Sequence, residues 1–162
     1  MLAGVSYTVS GGTLSGSGTI NGSIGFAGGL NHLGFNIGGT TQGTGYDSLS
    51  LIALSVNTAE LDVTVINGFA SSITPQEQFV VVQTTEGVNG VLTNVANGGT
   101  LQTTDGLESF QVNYGSGIYA DEVVLSDFQI IPEPRYAGAV ILVAGLLMAR
   151  RVRRAVNRPA GF

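Results

Sequence analysis

The sequence predicts an all-β body of parallel β-solenoid-like rungs followed by one short C-terminal transmembrane helix, with an antiparallel β-sandwich as the alternative for the body. Three observations carry this prediction. Glycine occurs 25 times against 4 prolines, and Asn-Gly or Gly-Gly pairs punctuate the chain at residues 11–12, 21–22, 28–29, 38–39, 67–68, 89–90 and 98–99. Between the pairs, apolar and polar residues alternate with a period of two, as half-buried strands require. No amphipathic helix of useful length occurs before residue 136, where an uncharged apolar run begins.

Taken in order, residues 12–22 (GTLSGSGTING) place single apolar residues between tight turns. That suits a rung whose corners are turned by small residues and whose strands pair with the next rung. Residues 49–56, 61–66 and 110–114 alternate cleanly, and 123–128 alternates in part. Residues 79–82 (FVVV) are continuously apolar, as in a strand covered on both faces. Turn signals every 8–12 residues or so keep the sandwich open as an alternative. The chain begins inside repeat-like sequence, without a basic segment or an apolar stretch of about 7–15 residues for export. The body is therefore expected to be N-terminally truncated, and a first rung without a predecessor exposes an edge.

Charge divides the chain into two regions. Charged residues make up 10% of it, against about 25% in an ordinary soluble domain, so the surface is polar through Ser, Thr, Asn and Gln. Residues 1–134 hold all 11 acids and no Lys or Arg, a formal charge of −11. The remaining 28 residues hold all six arginines, which brings the total to −5. A body without a cation lacks what binds phosphate backbones, so no nucleic-acid partner is expected. The absence of cysteine excludes disulfides, thiolate metal sites and cysteine nucleophiles.

Catalytic equipment is sparse, and no catalytic residue, metal site or cofactor is expected. His32 is the only histidine and is read as a turn or surface residue; no Gly-x-Ser-x-Gly elbow presents a nucleophile. Lysine and cysteine mechanisms are closed to the body. The carboxylate pairs Glu60/Asp62, Asp105/Glu108 and Asp121/Glu122 are candidates for acid–base work on polysaccharide. Glu60 and Asp62, two apart on one strand, share a face. The simpler reading is that all three pairs are solvated carboxylates opposite an apolar face. Calcium loops of the EF-hand or Gly-Gly-x-Gly-x-Asp type are absent, and Gly16–Gly22 lacks dinucleotide spacing.

The end of the chain has three parts in order. Pro132, Glu133 and Pro134 stop the preceding strand and force an extended stretch. Residues 136–149 form an uncharged apolar run of 14 residues, roughly 21 Å as a helix at 1.5 Å per residue. That is short of the roughly 30 Å hydrocarbon core. Its six strongly apolar residues contribute roughly −3 kcal/mol to insertion, which makes a marginal anchor helped by bilayer thinning and arginine snorkelling. Arg150, Arg151, Arg153 and Arg154 follow at once as a membrane stop, which places the body outside and the tail in the cytoplasm. A buried core helix with a solvated arginine end is the competing reading, and it leaves a helix apolar on all faces unexplained.

Pro-Glu-Pro, a hydrophobic helix of this length and a terminal arginine cluster together resemble the PEP-CTERM sorting signal of Gram-negative exported proteins. The resemblance covers residues 132 to 154. It implies that Pro132, Glu133 and Pro134 are recognised by a membrane-embedded exosortase, with residues 136–149 as anchor and Arg150, Arg151, Arg153 and Arg154 as stop. The strings LSGSGTING (14–22), LGFNIGG (33–39), GYDSL (45–49), LDVTVINGF (61–69) and FVVV (79–82) look like autotransporter-type β-helix repeats. They depart from that pattern near residues 25–32, where the usual Pro-Gly turn is missing.

The expected organisation is an acidic body over residues 1–130, a linker and sorting motif over 131–135, a transmembrane helix over 136–149 and a basic cytoplasmic tail over 150–162. The expected role is a non-enzymatic surface or extracellular-matrix protein held in the bacterial inner membrane and then displayed or released after processing. Its expected partners are an exosortase, by resemblance, and the lipid bilayer. The alternative is an autotransporter-like adhesin or passenger fragment that binds extracellular polysaccharide. A carbohydrate-active enzyme whose catalytic rungs lie upstream is a third reading.

Overall fold

The computed structural model describes residues 5–132. In chain order the strands are β1 (Val5–Val9), β2 (Gly12–Ser15), β3 (Gly18–Thr19), β4 (Gly22–Phe26), β5 (Asn31–Ile37), β6 (Leu49–Leu51), β7 (Leu54–Ser55), β8 (Ala59–Val65), β9 (Phe79–Thr84), β10 (Val88–Asn89), β11 (Gly99–Gln102), β12 (Glu108–Tyr114) and β13 (Glu122–Ile130). Two short 3-10 turns, Phe69–Ser72 and Gly117–Tyr119, are the remaining elements among the described residues. The described body is all-β, and none of its helices is long and apolar enough to cross a membrane. The compact unit that contains every described strand ends at Ile131.

The chain visits three sheets in rotation. β1, β4, β7 and β10 form the first, β2, β5 and β8 the second, and β3, β6 and β9 the parallel half of the third. Each return adds a parallel strand in residue-for-residue register, as in Leu14↔Leu33↔Leu61 of the second sheet and Ile24↔Leu54↔Val88 of the first. The last three strands change the pattern. β13 pairs antiparallel with β9, β12 with β13 and β11 with β12, so the third sheet runs β11-β12-β13-β9-β6-β3. The sheets are thus parallel in the N-terminal part and antiparallel at the end.

Alternation decides which side chains face inward. In β5, Asn31, Leu33, Phe35 and Ile37 are buried while His32, Gly34 and Asn36 face outward; β8 repeats this with Ala59, Leu61 and Val63 inside. Aromatic rings fill the join between the parallel and antiparallel parts. Phe79 meets Tyr46, Phe69 and Phe110 edge-on at centroid distances of 5.2, 6.5 and 6.0 Å, and Phe110 continues the stack to Phe128. Edge-on contacts of this kind add about 0.5–1.5 kcal/mol each beyond the apolar area they bury.

All seven predicted turn pairs fall between strands or at strand ends. Residues 49–56, expected as one strand, are two, β6 and β7, in different sheets, because the chain turns a corner at Ile52 and Ala53. The inward phase shifts there, from Leu49 and Leu51 to Leu54 and Val56, and the apolar Ile52 and Ala53 between them hide the break from periodicity. The corner near residues 25–32 is turned without proline: Gly28 and Gly29 both adopt left-handed φ, +62° and +58°. Pro132 is exposed just beyond β13, where the Ile131 N–H donates to the Leu107 carbonyl at 2.8 Å. Glu133, Pro134, the apolar run 136–149 and Arg150, Arg151, Arg153 and Arg154 lie outside the described residues.

Candidate functional site

The outer face of the second sheet gathers the polar side chains that its inner face excludes. Register sets Thr13 of β2 beside His32 of β5, and His32 beside Glu60 of β8; Gly34 stands opposite Asp62. His32 and Asp62 meet diagonally, with Nδ1 and Oδ2 2.8 Å apart and the side chains 31% and 39% exposed. A carboxylate only accepts, so the Nδ1–H of His32 donates to Asp62. Donor atoms of His32, Glu60 and Asp62 all lie within 4.8 Å of one another. The parallel ladder holds them there: neighbouring strands run about 4.8 Å apart, and outward residues recur every second position. Further along the face Asp47 is already engaged, since Oδ2 accepts from the Asn36 N–H and Nδ2 at 2.9 Å each while Ser17 donates to Oδ1.

Of the three carboxylate pairs singled out in the sequence, Glu60/Asp62 therefore joins His32, a histidine expected in a turn or at the surface and placed on the outer face of the second sheet's central strand. Its partner lies 30 residues away, beyond the reach of any local pattern. Asp105 and Glu108 form a separate cluster around the Thr103 hydroxyl, which lies 2.7 Å from Asp105 Oδ1 and 3.1 Å from Glu108 Oε2. One hydroxyl hydrogen serves one acceptor, and the shorter contact assigns it to Asp105. A protonated Glu108 would then donate to the Asp105 carboxylate. The Thr103 hydroxyl, with the Leu107 N–H, holds Asp105 below the usual carboxylate range. Burial pushes Glu108 up, the Thr103 contact opposes this, and the charge of Asp105 adds to it. Asp121 serves through its backbone: its carbonyl accepts from Thr84 N–H at 2.7 Å and Thr84 Oγ1 at 3.0 Å. Glu122 lies opposite Gln83 in the β13–β9 ladder.

Two asparagines do structural work that composition did not reveal. Asn31, 1% exposed, spans three successive passes of the chain. Its Oδ1 accepts from the Gly11 N–H at 2.8 Å, and its Nδ2 donates to the carbonyls of Gly28 at 2.6 Å and Thr58 at 3.4 Å. Asn94 pairs with both backbone groups of Leu61, each at 2.9 Å, so its amide imitates one residue of a further strand on the outer edge of β8. Compared with known proteins, the chain matches no family, no curated protein and no solved structure.

Proposed function

We propose that the chain is a non-enzymatic exported surface or extracellular-matrix protein, its body a short parallel β-solenoid and its tail a PEP-CTERM-type signal that sorts and anchors it. The observation that carries the reading is the order Pro132-Glu133-Pro134, an uncharged apolar run and an arginine cluster, immediately after the last strand of the body. Two features of the fold support it. The chain returns to each of three sheets in parallel register, as stacked rungs do. The compact unit closes at Ile131, one residue before the motif, so a cut there would leave every described strand intact.

In this account an exosortase recognises Pro132, Glu133 and Pro134, residues 136–149 lie in the inner membrane, and Arg150, Arg151, Arg153 and Arg154 hold the cytoplasmic side. The test is intact-mass analysis of membrane and released fractions from the host. A released form ending near Pro134 supports a processed signal; it would also carry a formal charge of −11 instead of −5 and migrate accordingly. Full-length protein found only in the membrane reduces the tail to a plain anchor. The second reading, a polysaccharide-binding passenger, draws on the outward Thr13, Ser15, Asn36 and Thr64, whose hydroxyl and amide groups suit neutral sugars. Retention on immobilised host exopolysaccharide, lost on substituting these residues, would favour it.

A further inference from the structure

We propose that His32, Glu60 and Asp62 form a surface binding site for a divalent transition-metal ion of the Zn2+ class. The first support is the ligand geometry. Two donors bound to one ion at about 2.0–2.2 Å, at angles between octahedral and tetrahedral, lie roughly 2.8–3.6 Å from each other. His32 Nδ1 and Asp62 Oδ2 are already 2.8 Å apart. The third donor, from Glu60, is within 4.8 Å of both and closes the set with a shift of about an ångström at the end of a flexible side chain.

Charge is the second support. Glu60 and Asp62 project from the same face of β8, and residues 1–134 contain no Lys or Arg to offset them. A dication neutralises the two carboxylates while the imidazole stays neutral. On binding, the proton now on Nδ1 is relocated to Nε2, leaving the ring uncharged and the Nδ1 lone pair on the metal. The third support is rigidity: the ligands sit on two strands paired over seven consecutive positions. The donor set fixes the class of ion. One imidazole nitrogen with two carboxylates suits zinc and its neighbours, whereas calcium needs about 6–8 oxygens. Three protein ligands on an exposed face leave coordination positions open to water or an outside donor.

The test uses the full chain in zwitterionic detergent, purified without a histidine tag. Because His32 is the only histidine, its ring gives a single, unambiguous set of NMR signals. Titration with ZnCl2 is expected to move these signals with saturation at a single equivalent, and calcium at the same ratio is expected to leave them in place. Asp62→Asn and Glu60→Gln should each weaken the response at least about tenfold, since even outer-shell changes cost that much. His32→Gln should abolish the single-equivalent step in calorimetry while the far-UV spectrum is retained. Imidazole signals that stay fixed, or zinc binding unchanged in both His32→Gln and Asp62→Asn, would overturn the proposal. A calcium response equal to that of zinc would overturn it as well.

Discussion

Asn31 shows how much of this fold rests on single polar residues. Replacing it with alanine strands the Gly11 N–H and two carbonyls at a corner that three passes share. Each buried group left without a partner costs about 1–3 kcal/mol, and partial access of water lowers the sum, so Asn31→Ala is predicted to lose roughly 2–4 kcal/mol in urea unfolding. Glu108 makes a prediction in pH. Its folded-state pKa is raised above the ordinary 4.5, so folding favours the protonated form. The stability gained is fully present below 4.5 and is lost as pH rises through the raised value. Glu108→Gln never charges and keeps a donor towards Asp105. Its stability relative to the parent should therefore rise between pH 4 and pH 7, and unfolding curves at the two pH values that show no such rise would refute the assignment. The sequence marks Glu108 only as one of a pair of carboxylates with Asp105, without its burial, and does not mark Asn31. A buried asparagine in a glycine-rich turn looks like any other turn asparagine, and its partners lie 20 and 27 residues away.

Elements were more legible than their connections. Alternation marked residues 61–66 and 110–114 because an inner face must be apolar and an outer face polar; β8 holds 61–65 and β12 holds all of 110–114. The turn pairs were legible for the same kind of reason: left-handed φ at residues such as Gly11, Gly28 and Gly98 favours glycine on steric grounds. Pairing was legible only as two alternatives, parallel rungs or an antiparallel sandwich, because period-two patterns are the same in parallel and antiparallel neighbours. For this reason the antiparallel finish of β11–β13 was not foreseen, nor was the meeting of His32 with Asp62. Edges follow a rule of their own. The outer edge of β8 is blunted by Asn94, by Thr93, whose N–H donates to the Ala59 carbonyl, and by Thr104, whose N–H donates to that of Val63. Asn94→Ala is predicted to cost about 1–3 kcal/mol and to speed aggregation at neutral pH, as seen by light scattering. At the opposite end β1, β2 and β3 each pair on one side only among the described residues, and Val5 and Tyr7 are half exposed there. A Tyr7→Lys variant, which places a charge on that edge, should associate less than the parent in concentration-dependent sedimentation.

At the scale of the whole molecule, charge is the organising feature. The proposed topology sets a body of formal charge −10 over residues 1–130 against a tail of +5 over residues 150–162, across a membrane whose cytoplasmic face attracts arginine. The strands of the body are complete before the proposed sorting motif begins, the compact unit ending at Ile131. Because the chain has no cysteine, any cysteine introduced is unique, and a membrane-impermeant maleimide reports its side of the membrane without background. The most direct test of the proposed topology places one cysteine at exposed Ser116 in the body and, in a second variant, one at Asn157 in the tail. The variants are expressed in the host and spheroplasts are then labelled. Ser116→Cys is expected to be labelled in intact spheroplasts and Asn157→Cys only after lysis. Labelling of Ser116→Cys only after lysis would place the body in the cytoplasm and contradict the proposed topology.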